Sequence, residues 1–130
     1  MEGWLMAAYW IKVCLDTPRK PEMRLAAKMA RLTKEQVFWH WFHLYAWADG
    51  QTADGFIPQL NLEDVAESSG VSLEFCRALS SPEIGWLFEA GGDNPGVMFR
   101  NWERHNGRCA KQRAQGCRRA QISRAKRRIA

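Results

Sequence analysis

The chain has 130 residues, 46 % of them apolar with seven Trp and six Phe, which is enough for a single-core domain and excludes a largely disordered chain. Ten of its 19 Lys and Arg fall between Arg104 and Ala130, where there is no Asp or Glu, leaving nine against all 14 acids of residues 1–103, so that a front portion of −5 precedes a tail of +10. Cys14, Cys76, Cys109 and Cys117 include no C-x-x-C pair, and the apolar start from Trp4 to Ile11 follows Glu2 and stops at Lys12. Reduced thiols, no export signal and no membrane span are therefore expected.

Taken in chain order, Tyr9 to Leu15 is rich in aromatic and β-branched residues and ends at Asp16-Thr17-Pro18, which predicts a short strand closing in a turn. Pro21 suits the first turn of a helix running to about Arg31, with Met23, Ala26, Ala27 and Ala30 facing inward. Thr33 and Gln36 form a capping-box pair that opens a second helix ending near Asp49, before Gly50. Val37, Trp41, Leu44 and Ala48 make one face of it, with Phe38, Phe42 and Tyr45 beside them, so this is the expected central helix and Trp41 a deeply buried residue. Gln36, His40, His43 and Trp47 form its narrower polar stripe, flanked by Trp39.

Phe56-Ile57-Pro58 reads as a very short edge strand, because Pro58 cannot donate to an inner ladder. Asn61 caps a predicted helix from Leu62 to Ser68, Ser69-Gly70-Val71 makes a tight turn, and Ser72 caps a further helix to about Leu79, with Leu73, Cys76 and Leu79 inward. Helix, three-residue turn and helix are a helix-turn-helix pattern. Trp86 to Glu89 and Val97 to Trp102 then read as a β-hairpin with a seven-residue tip from Ala90 to Gly96. The fold class that follows is mainly α with a small β-sheet (α+β): a winged helix-turn-helix over residues 1–103, then a basic Arg-rich arm over 104–130. Gly116 interrupts the helical spacing of the arm, which predicts a frayed or binding-induced helix.

The order of these pieces resembles the N-terminal winged-helix domain of phage replisome-organiser and DnaD-like replication initiation proteins. The resemblance runs over about residues 9 to 128. It rests on Tyr9-Trp10-Ile11-Lys12, the long aromatic helix, Gly55-Phe56-Ile57-Pro58, Leu62-x-x-Val65-Ala66-x-x-x-Gly70-Val71, and Phe99-Arg100-Asn101-Trp102-x-x-His105-Asn106 leading into an Arg-rich segment. Ser80-Ser81-Pro82 departs from the continuous helix and Gly-Leu-Ile sequence more common there. The resemblance implies DNA binding at replication initiation in a bacterial host cytoplasm, with helicase or helicase-loader proteins as further partners. Self-association stays open.

A one-signed basic block needs a polyanion, so the arm is the first nucleic-acid-binding candidate, through Arg104, Arg108, Lys111, Arg113, Arg118, Arg119, Arg124, Lys126, Arg127 and Arg128. Arg donates in planar pairs to phosphate, and the interspersed Gln112, Gln115 and Gln121 fit a backbone contact with little sequence preference. The candidate recognition helix is poorer, presenting Ser72, Glu74, Arg77 and Ser81, with Glu63, Asp64 and Glu67 nearby. Arg77 is its one plausible guanine or phosphate contact, and Arg100 is the basic residue of the expected wing. Trp39, His40, His43 and Trp47 are an alternative partner-binding patch, since Trp is enriched at interaction hot spots.

His105, Cys109 and Cys117 lack the close pair of a structural zinc site, and no nucleophile, base or phosphate-loop spacing appears, so no metal, no cofactor and no enzyme activity are expected. Duplex DNA is the expected partner, with RNA and single strands open. The alternatives are a protein-interaction module tethered to nucleic acid by its arm, or a winged-helix transcriptional regulator. Glu63, Glu67 and Glu74 around Arg77 on one exposed face would weaken groove reading.

Overall fold

The computed structural model describes residues 10–102 and 108–129, with side chains in the second stretch described at 116 and 118–128. A 3-10 turn at Thr17–Arg19 leads into α1 (Pro21–Ala30), which stops where Arg31 takes a left-handed conformation at φ 57°. The Thr33 hydroxyl then accepts from the Gln36 N–H at 3.1 Å while the Gln36 side-chain carbonyl accepts from the Thr33 N–H at 2.9 Å, and this reciprocal cap opens α2 (Lys34–Gln51). Asn61 and Asp64 make the same box at the start of α3 (Leu62–Ser69), and Gly70 ends that helix at φ 78°. Ser72 caps α4 (Leu73–Leu79) by accepting from the Phe75 N–H at 3.1 Å.

The sheet has three antiparallel strands, β1 (Phe56–Pro58), β2 (Leu87–Ala90) and β3 (Gly96–Phe99), in the order β1-β3-β2. Pro58 stands on an edge strand, where its missing N–H costs no ladder bond. Ala90 pairs with Gly96, so the hairpin tip is five residues, Gly91 to Pro95, rather than seven. Gly96 has no room for a side chain, because a Cβ there would run into the Ile57 carbonyl oxygen across the β1–β3 pair. The architecture is α+β, with a helix, three-residue turn, helix and β-hairpin following one another in chain order.

The core is formed between Met23 and Trp102, with α2 packed on α1 and α3, and α4 packed on α1 and α3. Leu44 and Ala48 are fully buried and Trp41 is 6 % exposed, as the central-helix reading requires. Tyr45 and Trp102 stack, and Phe99 meets both edge-on. On α4 the inward set is Phe75, Cys76, Ala78 and Leu79, whereas Leu73 is only half-buried. Helical spacing does not single out Phe75, because a seven-residue helix wedged between two others buries more than one stripe.

Three further expectations change. Trp10 to Cys14 form no strand, and Tyr9 lies outside the described residues. Aromatic and β-branched residues favour a pleated surface only where a neighbouring strand accepts their backbone groups, and here Ile11 packs a side chain on the core instead. The strand expected to reach Trp102 ends at Phe99, and Asn101 turns the chain at φ 57° so that Trp102 swings into the core. The arm is a continuous α5 (Arg108–Ile129) that passes through Gly116 without a break. One glycine costs about 1 kcal/mol against Ala, and the Ala, Gln, Arg and Lys around it are strong helix formers. Among the described residues no helix is long and apolar enough to cross a membrane.

Candidate nucleic-acid interface

Nine basic residues and no acid occupy the 22 residues of α5, a rod about 33 Å long. At about 3.6 residues per turn they fall on every side of the helix rather than along one stripe. Arg118, Arg119, Arg124, Lys126, Arg127 and Arg128 are exposed, and Arg127 donates to the Ser123 hydroxyl at 3.2 Å one turn back. The backbones of Arg108, Lys111 and Arg113 belong to the same helix, but their side chains lie outside the described set, as does the whole of Arg104. His105 and the side chains of Cys109 and Cys117 lie outside it too.

The α3–α4 pair presents a different charge. Arg77 is exposed on α4, one turn after exposed Glu74, and Glu63 and Glu67 are exposed on the adjoining α3. Ser72 is half-buried and its hydroxyl is engaged by the Phe75 N–H, so its oxygen serves the helix end. Ser80 and Ser81 likewise turn back, donating to the Arg77 and Ala78 carbonyls at 2.9 and 2.7 Å. These bonds satisfy carbonyls that the end of a helix leaves unpaired. Arg77 is thus the only basic side chain of α3 and α4, and those two helices also carry three exposed glutamates.

Arg100 follows β3 and is exposed, its guanidinium 5.9 Å from the centre of the Phe88 ring on the opposite strand of the hairpin. Its N–H donates to the Trp86 carbonyl at 2.8 Å, which extends the hairpin by one bond. On the far side of the hairpin root, Lys20 holds its ammonium 5.7 Å from the Trp86 ring centre. A cavity of about 80 Å³ opens between them, lined also by Lys12, Thr17, Trp41 and Tyr45. Nothing in the local sequence signalled this cluster, since its parts come from residues 12–20, 41–45, 86 and 100–101 and meet only in the folded chain.

The aromatic-histidine stripe of α2 does not form one surface. Trp39 is 58 % exposed, with His43 edge-on to it at 4.5 Å and Phe42 stacked at 5.7 Å. His40 instead sets its Nδ1 against the Gln36 carbonyl, 2.8 Å away, and its ring meets that of buried Phe75 in an edge-type contact. The carbonyl can only accept, so that nitrogen carries the proton. Trp47 is half-buried against the core. The exposed rings of the stripe are therefore Trp39 and His43, with half-buried Phe42 stacked on Trp39.

Among the described residues no group of three or more His, Cys, Asp or Glu is placed to hold a metal ion. Burial pushes the Cys76 thiol up to about 12, and Cys76 and Cys14 are both free. Asp54 is held below the usual carboxylate range by the Phe56 N–H and the Thr52 hydroxyl that it accepts from, a turn-closing role. No protein-family model, curated protein or solved structure matches this chain.

Proposed function

We propose that this chain is a winged-helix DNA-binding protein whose affinity comes from its C-terminal helix, and that it acts in replication initiation as a relative of phage replisome-organiser and DnaD-like proteins. The observation that carries the DNA-binding part is α5: nine cations, no acid, and charge on all sides. A helix meant to pack on a protein surface keeps an apolar stripe, whereas one facing a polyanion needs none. The role in replication rests on the resemblance of the residues between Tyr9 and Asn106. Helicase or helicase-loader partners belong to the same reading.

Exposed Glu63, Glu67 and Glu74 favour a second reading, in which α3 and α4 face a protein and only the arm holds nucleic acid. Exposed carboxylates on the same two helices as Arg77 oppose a phosphate backbone but suit a basic partner surface. Binding of the full chain to duplex DNA, single-stranded DNA and RNA across a salt series tests both. Tight duplex binding with a steep salt slope and at least modest site preference supports the first reading. Salt-sensitive binding with no preference among duplexes moves weight to the second. Absence of salt-sensitive binding to any of the three polymers would overturn both.

A further inference from the structure

The folded domain carries a cationic cavity that neither the arm nor the α3–α4 pair accounts for. It lies where the Thr17–Arg19 turn, the middle of α2 and the root of the hairpin meet. Lys12, Lys20 and Arg100 line it, and among the described residues no carboxylate does: Asp16 is exposed, and Asp54 lines a neighbouring open cleft that shares Arg100 and Asn101 with it. Lys20 is steadied by the Trp86 ring and Arg100 by the Phe88 ring, so two of the three cations are held in place by aromatic faces.

Two hydroxyls on the cavity wall make the second observation. Thr17 is 4 % exposed and Tyr45 is 7 % exposed, yet neither side chain has a hydrogen-bond partner among the described residues. Buried hydroxyls are nearly always paired, and two residues carrying such groups on the wall of one cavity point to something that fills it. Its volume of about 80 Å³ takes a tetrahedral oxyanion or a few waters. Three cations around it select the anion, because like charges held together need a counter-charge between them.

We propose that this cavity binds a phosphate group, with Lys12, Lys20 and Arg100 supplying charge and Thr17 and Tyr45 supplying hydroxyl donors. The phosphate belongs either to a nucleic-acid strand at the hairpin root or to a free phosphorylated molecule. The site is separate from α5, so it stands or falls independently of DNA binding by the arm.

The test titrates the full-length chain with inorganic phosphate, against chloride at equal ionic strength, following the indole signals of Trp41 and Trp86 by NMR. Saturable shifts with phosphate and none with chloride are expected. Lys20→Gln and Thr17→Val should each weaken the phosphate affinity by about tenfold or more, with melting temperature in phosphate-free buffer unchanged or raised for Thr17→Val. Arg118→Gln/Arg119→Gln should leave phosphate binding intact while weakening duplex binding. Absence of saturation would overturn the proposal, as would affinity unaltered in Lys20→Gln but lost in the arm variant. A 5′-phosphorylated oligonucleotide that displaces inorganic phosphate, where its unphosphorylated twin does not, assigns the group to a strand end. Displacement by both assigns it to the backbone, and displacement by neither assigns it to a free phosphorylated molecule.

Discussion

Tyr45 of α2 lies face to face with Trp102, their ring centres 6.1 Å apart and their planes 16° from parallel. This stack ties the central helix to Trp102, so the chain is anchored in the core two residues before the basic region begins at Arg104. Trp102 is 3 % exposed, and Trp102→Ala should cost about 3–5 kcal/mol in folding stability, since a large ring is removed from a closed aromatic cluster. Denaturant melts read this directly, and an unshifted midpoint would show the stack to be dispensable.

Gly55 underlies the same ring. Its φ is 94°, and a Cβ there would collide with the Trp102 side chain. Gly55→Ala should therefore destabilise by more than about 1 kcal/mol, through strain and displacement of Trp102 together. Gly50 has open space around it, so Gly50→Ala serves as the comparison and should be neutral or stabilising. Equal melting temperatures for the two variants would contradict this placement of Trp102.

Salt dependence measures how much of α5 touches phosphate. If about five charges engage, the log-log slope of duplex affinity should be near −4 to −5, and Arg118→Gln/Arg119→Gln should reduce it by about two units. A slope indifferent to both substitutions would move the binding surface elsewhere on the chain.

Arg77 separates reading from holding. If its guanidinium forks onto a base, Arg77→Ala should cost about 1–3 kcal/mol on a specific site and flatten discrimination between sites, whereas removing a phosphate-binding Arg weakens all sequences alike. Unchanged affinity and selectivity would favour α3 and α4, with their exposed glutamates, as a protein-binding surface. Trp39 and His43 would then be the next residues to substitute.

Cys76 makes stability sensitive to alkali. Below about pH 9 both the folded and the unfolded chain hold this proton, but between about 9 and 12 only the unfolded chain releases it, because burial keeps the folded thiol protonated. Stability should fall as pH rises through that window, by up to about 1.4 kcal/mol per pH unit from this group. Burial raises the Tyr45 phenol as well, which adds in the same direction at higher pH. Cys76→Ala should flatten the early part of the decline. In the folded chain Cys76 should also resist a thiol reagent at about pH 8 that labels half-exposed Cys14.

The helices are legible because their signals are local. Thr33 with Gln36, Asn61 with Asp64, and Ser72 each satisfy N–H groups within the next turn, so the start of α2, α3 and α4 can be read from three or four neighbouring residues. Pro58 marks an edge strand for an equally local reason. Tyr9 to Leu15 misleads because a strand needs a partner that its own residues do not specify, and Trp10 to Cys14 have none in the sheet.

What the sequence alone determined is the segregation of charge and the apolar periodicity of α2, both properties of residue order. Only the tertiary structure decided which cations stand together. Arg77 shares α3 and α4 with exposed glutamates and no other cation, while Lys12, Lys20 and Arg100, separated by up to 88 positions, line one cavity with Thr17 and Tyr45, whose hydroxyls have no hydrogen-bond partner among the described residues. Packing of the hairpin root against α2 and the Thr17–Arg19 turn brings them there, and proximity between residues so far apart in the chain leaves no pattern in the residues themselves.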